Sequence, residues 1–492
     1  MDFPVKRLRE AFEAAGYTVD GVLRRIGEAG QAGLGRNQTM PARRALGEAG
    51  DPLATLIRLF LLQQPAPAEH VDRALPGLTE TLLALDIVRR APDGLRAAID
   101  LRPYATDDEQ PRWIVSDLTP GLDGPAGPMR PDYVLGVSSA STTLAQLTIR
   151  RPIGRALDLG TGCGVQSLHL AAHADEIVAT DLNPRAIRLA AWTAALNQVA
   201  VDLREGDLYE PVAGETFDLI ITNPPYVIAP PADDDRRLTY REATRTGDEL
   251  VREVIAAGLE HLAPGGTLQI LGNWAHQRDG DWAGRLRDWL PATGVRALII
   301  ERELLDPYEY VELWLTDAGL FGTPGYADAY ARWLDYFAEL GITAVGMGWI
   351  TIRRIDDATP SDIAIESWPH AVQQPVGGAL AEWLDAAPVA QLGEAELFGR
   401  TFTIAPDVDA ETIGRPGAAD PEHLLLRRRA GLRRAVRTDT ALAAVAGACD
   451  GDLPLGVIVD AVARLLDADA GALRTDLTPR LRGLIVDGFL RG

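Results

Sequence analysis

Asn223-Pro224-Pro225-Tyr226 follows directly on Phe217–Thr222, a near-continuous apolar run of the kind found in the middle of a parallel sheet. The Asn223 side-chain oxygen and the Pro224 carbonyl are two hydrogen-bond acceptors at that strand end. The prolines fix the backbone that carries them, and Tyr226 adds an aromatic face. Upstream, the short apolar strand Arg155–Leu159 holds Asp158 near its end and leads into Gly160-Thr161-Gly162-Cys163-Gly164 and the helical run Val165–Ala174. Glycines at such a turn let the backbone bend tightly and let a ligand lie against it, where any Cβ would collide. Roughly twenty residues on, Glu176–Thr180 runs into Asp181, where a carboxylate can accept from both hydroxyls of a ribose. Asp158 or Asp207 taken singly would be read as a turn or cap carboxylate; the ordered series points instead to a ligand.

The glycines alternate after Asp158, unlike the GxGxxG of dinucleotide folds, and this DxGxGxG spacing resembles the first motif of class I methyltransferases. The tetrapeptide at 223–226 resembles the (Asp/Asn/Ser)-Pro-Pro-(Tyr/Phe) motif of methyltransferases acting on planar amino or amide nitrogens. The resemblance implies S-adenosylmethionine as cofactor. Asp158 would hold its methionine end above Gly160, Thr161, Gly162 and Gly164, Asp181 its ribose, and Asp207 its adenine amino group, with Leu182, Leu208 and Asn223 bordering the same site. Catalysis would fall to Asn223, Pro224, Pro225 and Tyr226. An amide or aromatic NH2 has a delocalised lone pair, so transfer requires acceptors that hold both protons and draw the nitrogen toward tetrahedral geometry. Asn223 and the Pro224 carbonyl would be those acceptors, with Tyr226 stacked on the planar group. No strong base is required, since a methyl sulfonium is already activated.

Asp158 to Gly266 resembles the HemK/PrmC-type protein-glutamine methyltransferases and their relatives that methylate amino groups of RNA or DNA bases, over less than a quarter of the chain. Arg245-Thr246-Gly247-Asp248-Glu249-Leu250 is similar in part to a Gly-Gly-x-Asp-Gly-Leu segment of that group, with Arg245, Thr246 and Glu249 standing where glycines would. Leu262-Ala263-Pro264-Gly265-Gly266 precedes the next strand as it does there. Two acceptors are consistent with these residues. A glutamine-type amide of a protein or peptide is favoured by the formal net charge of -22, which draws no polyanion. An exocyclic amino group of an RNA or DNA base is favoured by an arginine-rich segment and winged-helix-like modules. A third reading, a cofactor fold that binds without catalysis, is opposed by the intact Asn223-Pro224-Pro225-Tyr226.

The elements that must position these residues predict an α/β architecture: a doubly wound Rossmann-like methyltransferase sheet over residues 132–355, flanked by helical or winged-helix-like modules. Residues 1–115 form the first module. Two short helices broken by Gly16, Gly30, Gly33 and Gly35 precede helices at Leu53–Gln63, Ala68–Ala74 and Gly77–Leu85 and strands at Ile87–Arg90 and Leu95–Leu101. The third of those helices has no Lys or Arg, which favours protein docking or packing over base reading. A linker at Thr106–Gln110 and Gly121–Gly127 surrounds a strand at Trp113–Val115. Residues 356–437 read as an irregular, Pro-rich connection, and 438–492 as a small helical or winged-helix-like module with helices at Thr440–Gly447, Leu455–Leu466 and Ala470–Asp487. Arg427, Arg428, Arg429, Arg433, Arg434 and Arg437 are spaced to cover much of one helix, read most plainly as a solvated face pairing with carboxylates. The connection after Ala297–Glu301 carries Tyr308, Tyr310, Trp314, Phe321, Tyr326, Tyr330 and Trp333. It would roof the acceptor pocket or, more plainly, form an amphipathic helix hairpin.

With 47% hydrophobic and 24% charged residues and no long low-complexity block, the chain is expected to fold almost throughout. The start lacks a signal-peptide core and Leu53–Leu62 is too short to cross a bilayer, so a cytoplasmic protein without membrane association is expected. Cys163 and Cys449 lack metal or redox spacing, and His169 and His173, four apart, lack a third ligand; no metal site is expected. Oligomeric state leaves no signal in the sequence.

Overall fold

The computed structural model describes residues 3–106, 110–124, 129–231, 245–415 and 423–492; parts of the expected linkers, 107–109 and 125–127, lie outside them. Two compact units result: residues 1–145, 151–295 and 299–367, and residues 146–150, 296–298 and 368–492.

The first unit begins with α1 (Val5–Ala15), α2 (Val19–Leu34), α3 (Met40–Leu46), α4 (Pro52–Leu56), which runs on through a π-helical turn at Ile57–Leu61, α5 (Ala68–Ala74) and α6 (Thr79–Ala84). Two antiparallel hairpins follow, β1 (Val88–Ala91) with β2 (Gly94–Ala97) and β3 (Asp100–Ala105) with β4 (Pro111–Ser116). Local rules account for the helix ends: Thr18 accepts from the Gly21 N–H at the start of α2, and Asp51 caps α4 with Pro52 behind it.

The large sheet is built from β5 (Ile153–Leu159), β6 (Ala174–Asp181), β7 (Asp202–Glu205), β8 (Phe217–Thr222), β9 (Leu262–Gln277), β10 (Val295–Leu305), β11 (Ile342–Arg354) and β12 (Asp362–Ser367). Between them run α8 (Val165–Leu170), α9 (Pro184–Leu196), α10 (Glu249–Glu260), α11 (Trp282–Arg287), α12 (Pro307–Asp317) and α13 (Tyr326–Glu339); α7 (Ser139–Leu147) precedes β5. The strand order is β12-β10-β11-β9-β8-β5-β6-β7. β7, β6, β5, β8 and β9 are parallel, and β11 returns antiparallel beside β9. The order reverses at β5, whose neighbours are β6 on one side and β8 on the other. This is the doubly wound α/β sheet expected, but it continues through β12 to Ser367, beyond the boundary at 355 read from the sequence.

Residues 1–115 are not a separate module. Leu8, Phe12 and Trp113 share one continuous apolar core with Leu168, Leu189 and Leu196 of α8 and α9, and the whole stretch belongs to the first compact unit. The joint is polar as well as apolar. Asn197, just past α9, accepts from the Trp113 N–H (2.9 Å) and donates to the Trp113 carbonyl (2.7 Å), so its amide stands where a neighbouring strand would. Thr193 accepts from the Val115 N–H (3.0 Å). The edge of β4 is thereby closed by side chains of a helix rather than left as open strand edge.

The second unit has α14 (Gly377–Ala390), α15 (Glu394–Gly399), β13 (Thr401–Ile404), β14 (Val408–Ile413), β15 (His423–Arg428), β16 (Ala435–Thr438), α16 (Thr440–Gly447), β17 (Asp450–Pro454), α17 (Leu455–Leu465), α18 (Ala470–Val486) and β18 (Leu490–Arg491). Two readings are corrected here. The described residues of 356–437 are not irregular: they carry regular strands and helices, all but α14 only one or two turns or a few strand residues long and so leaving little periodicity. The arginine segment is no helix. Leu426 pairs with Val436 and Arg427 with Ala435 across an antiparallel hairpin, turned through Gly431 and Arg433, both at positive φ that a helix does not contain. Four of its six arginines are ion-paired among the described residues: Arg427 with Glu411, Arg428 with Asp407 and Glu382, Arg429 with Asp409, and Arg434 with Asp487.

Replacing Asn197 by Ala should orphan the Trp113 N–H and carbonyl and lower the stability of the first unit by about 2–4 kcal/mol. Urea unfolding followed by tryptophan fluorescence measures it; an unmoved midpoint would show that water substitutes for the amide.

Candidate active site

β5 is in register with both neighbours at the same level, Leu159 lying opposite Thr180 of β6 and Thr222 of β8. Three loops therefore rise from one point of the sheet's carboxyl edge, where the strand order reverses and open α/β folds bind ligands: Gly160–Gly164, Asp181–Asn183 and Asn223–Tyr226.

The first loop is held by the end of β6. The N–H groups of Gly160 and Thr161 both donate to the Thr180 carbonyl (2.9 Å each), and that of Gly162 donates to the Asp181 carboxylate (2.8 Å). Gly160 and Gly162 have φ of 73° and 57°, and a Cβ on either would meet no protein atom within 4 Å. They supply a turn that L side chains resist and leave its upper side open. Gly164 serves packing instead: a Cβ there would press on Ala190 of α9 at 3.3 Å.

Asp158 is buried, and its Oδ2 accepts from the Thr161 hydroxyl (2.7 Å), the Ser167 N–H (3.1 Å) and the Ser167 hydroxyl (2.8 Å). Burial nevertheless pushes its carboxyl up to about 6, those hydrogen bonds opposing the shift. Asp181 accepts from Gly162 on one oxygen and from the Asn183 N–H (2.9 Å) on the other; burial raises its carboxyl as well. Asp207 stands 3.7 Å from the Arg245 guanidinium.

A cavity of about 210 Å³ collects most of the residues anticipated from the sequence: Asp158, Gly160, Thr161, Gly162, Asp181, Leu182, Asp207, Leu208, Asn223, Pro224 and Pro225 line it. Leu182 is 52% exposed, an apolar side chain left open on the cavity. Gly164 and Tyr226 are not among the lining residues. Sequence reasoning missed Tyr133, Val134, Gly136, Ser141, Gln166, Asn183 and Leu250, which also line it. They come from other segments of the chain or lack the charge that draws notice. Arg245, singled out only as a departure from glycine, is a cavity wall residue ion-paired with Glu253 (2.8 Å).

At the clamp, the Asn223 Oδ1 is buried and has no hydrogen-bond partner among the described residues. The Pro224 carbonyl accepts from the Tyr226 N–H (2.7 Å), leaving one lone pair. The Tyr226 ring does not stand over the cavity. It packs edge-on to Trp314 in an apolar cluster with Val227, Tyr310 and Trp333, and burial pushes its hydroxyl up to about 12. The helix hairpin α12–α13 is thus the packed amphipathic element. Its Tyr310 hydroxyl accepts from the Ile228 N–H (3.0 Å) and from Asn273 (2.9 Å), fixing the chain where it leaves the clamp.

His169 is hydrogen-bonded to Tyr104 (2.8 Å), and among the described residues no group of three or more His, Cys, Asp or Glu is placed to hold a metal. Cys163 and Cys449 are buried free thiols. Among the described residues no helix is long and apolar enough to cross a membrane.

Residues 136–279, which include every residue of the three loops, match the family model of the methyltransferase small domain; residues 14–98 match a domain of unknown function. The release factor glutamine methyltransferase of Xylella fastidiosa is 34% identical over 161 residues, 30% of this chain and 56% of that protein. The protein of the same name from Deinococcus radiodurans is 38% identical over 122 residues, 23% of this chain and 44% of its own length. The ribosomal RNA small subunit methyltransferase C of Alcanivorax borkumensis is 32% identical over 120 residues, 24% of this chain and 32% of that protein. The chain thus spans about half or less of the length of these relatives.

The raised Asp158 carboxyl predicts a pH signature. The folded chain binds this proton more tightly than the unfolded chain, whose carboxyl titrates near 3.8, so the contribution to stability is full below that value and lost as pH rises through about 6. Between about pH 4.5 and 7 the protein should lose about 1–2 kcal/mol relative to Asp158→Asn. Parallel urea titrations of the two proteins measure it, and a difference constant across that range would reject burial as the cause.

Proposed function

We propose that this chain is an S-adenosylmethionine-dependent N-methyltransferase whose acceptor is a planar amide nitrogen of the glutamine type, carried on a protein or peptide. The reading rests above all on the buried Asn223 Oδ1, unpartnered among the described residues, at a cavity floored by Gly160 and Gly162. Such an oxygen costs about 1–3 kcal/mol while it lacks a donor, and an incoming N–H removes that cost. The cofactor fits the residues present: an open glycine turn, the Asp181 carboxylate for ribose hydroxyls, and the exposed Leu182 with Asp207 and Leu208 for the adenine.

Bound S-adenosylmethionine supplies a methyl group already activated on a positively charged sulfur. The chain's own task is then to hold and aim the acceptor. Asn223 Oδ1 accepts a hydrogen bond from one amide N–H and the free lone pair of the Pro224 carbonyl from the other, which turns the nitrogen lone pair out of conjugation; once the methyl has moved, the methylated nitrogen sheds one proton to water. The two prolines and the Tyr310–Ile228 hydrogen bond keep these acceptors from relaxing. Tyr226 contributes by packing the clamp from behind, in place of the stacking role its position in the motif implies.

A polypeptide acceptor is favoured by the charge beside the clamp. Between residues 303 and 339, the hairpin segment that packs on Tyr226–Ala229, Glu303, Asp306, Glu309, Glu312, Asp317, Asp328, Asp335 and Glu339 are all exposed against the single basic residue Arg332. A phosphate backbone approaching that face would be repelled, whereas a neutral or basic peptide would not. Exposed Tyr308 and Phe321 offer it apolar contact. The arginines of the second unit that might have drawn a nucleic acid are largely engaged with carboxylates. The second reading, a base amino group, has the Alcanivorax relative in its favour.

Radiolabelled S-adenosylmethionine incubated with the protein and a cell lysate should leave label that protease removes and nuclease does not. Asn223→Ala should lower turnover about 10²–10³-fold with cofactor affinity little changed. Nuclease-sensitive label would establish the base-methylating reading instead, and absence of cofactor binding would refute both.

A further inference from the structure

Gln166 is the second residue of α8, just past the glycine loop, and is only 5% exposed while lining the cavity. Its Nε2 donates to the Ser141 carbonyl (2.7 Å), which fixes the amide: flipping it would set two oxygens against each other. Oε1 is left buried and without a partner among the described residues. A glutamine on a helix facing the core ordinarily satisfies both ends of its amide. One that spends its donor on a backbone carbonyl of another segment and keeps its acceptor bare, in a cavity wall, awaits a donor from outside the chain.

The topology says which part of a ligand that donor belongs to. Across the sheet the order runs β7, β6, β5, β8, with Asp207 after β7, Asp181 after β6, Asp158 and Gln166 around the β5 loop, and Asn223 after β8. With the adenine at Asp207, the ribose at Asp181 and the reactive methyl directed at Asn223, the remaining, amino-acid end of the cofactor falls over the β5 loop. Of the polar side chains that line the cavity there, the Asp158 carboxylate and the Gln166 amide oxygen are acceptors, while the Thr161 hydroxyl donates its proton to Asp158 and the Ser141 hydroxyl is bonded to Ser138. The two acceptors suit a cation with N–H donors and oppose a carboxylate.

We infer that Gln166 Oε1 is a binding residue for the α-ammonium group of the bound S-adenosyl amino acid, held in aim by Ser141. This rests on the cofactor reading of the cavity given above. The test compares two ligands by calorimetry: S-adenosylhomocysteine, which carries the ammonium, and 5′-methylthioadenosine, which lacks the amino-acid end. Gln166→Leu should weaken S-adenosylhomocysteine binding about tenfold, the scale of a hydrogen bond to a charged group, and leave 5′-methylthioadenosine binding unchanged. Gln166→Glu, which keeps an acceptor, should retain affinity for S-adenosylhomocysteine. Equal loss for both ligands in Gln166→Leu, or no loss for either, overturns the role of Gln166 while leaving the cofactor site standing. Failure of the unsubstituted protein to bind S-adenosylhomocysteine overturns the cofactor reading and this inference with it.

Discussion

The last two residues of β6 hold backbone N–H groups of two neighbouring loops. The Thr180 carbonyl takes those of Gly160 and Thr161, and the Asp181 carboxylate takes those of Gly162 and Asn183. Two loops that belong to different strands are thereby locked to each other through one strand end, which satisfies the backbone donors of the glycine loop. A carboxylate has about four lone-pair sites. Two are committed to the backbone, so Asp181 can organise the loop and still accept from a ligand. The parallel register of β5 on β6 is what sets this up: a shift by one residue would turn Asp158 and the carboxyl end of β6 to opposite faces of the sheet.

From the same turn the constraint passes into α9. Asn183 accepts from the Arg185 N–H, Pro184 starts the helix, and at its far end Thr193 and Asn197 close the edge of β4. Arg185 also meets Asp117 in a largely buried pair (Nε to Oδ2 3.0 Å), and that same oxygen accepts from the Val134 N–H (2.8 Å). The chain leaving the N-terminal helices and hairpins is pinned so that Tyr133, Val134 and Gly136 become a wall of the cavity. The buried pair is no ornament of stability in itself, since desolvation offsets most of its attraction. Its effect is geometric: removing either partner would leave a charge without a counterpart beside the cofactor turn. The N-terminal region therefore shares a compact unit and a core with the strands and helices that carry the cavity.

What the sequence disclosed and what it hid divide along the range of the interaction. β8, α5 and α16 end where turn and cap signals put them, and the glycine loop, Asp181 and Asn223 stand together because each follows a strand of one parallel sheet, a relation that spacing alone encodes. Tyr133, Ser141 and Gln166 reach the cavity through contacts that no local pattern marks. Tyr226 shows the limit from the other side. Its position in the tetrapeptide fixes the backbone, but whether the ring turns to the cavity or to Trp314 is decided by α12 and α13, about a hundred residues further on. The arginine segment failed for a related reason: six arginines have no inherent period, and Gly431 with carboxylates on β14 and α14 settled the matter in favour of a hairpin.

The polar groups at the clamp also bear on how far electrostatics can help the proposed reaction. Methyl transfer from a sulfonium to a neutral nitrogen moves positive charge without creating any, so a general negative field around the site lowers reactant and transition state by similar amounts. Such uniform stabilisation binds better and reacts no faster. Only groups that distinguish the nitrogen from the sulfur matter, and they must sit against the nitrogen: Asn223 Oδ1 and the Pro224 carbonyl, whose dipoles strengthen as the N–H bonds polarise. That these two are neutral is significant. A carboxylate in place of Asn223, in a cavity already holding Asp158 and Asp181, would have its own ionisation opposed by burial and by like charge, so its acceptor strength would vary with pH. An amide oxygen cannot titrate. Its acceptor capacity is the same at every pH at which the fold survives, which leaves the hairpin's exposed carboxylates to act on which molecule arrives and the buried amide to act on what happens to it.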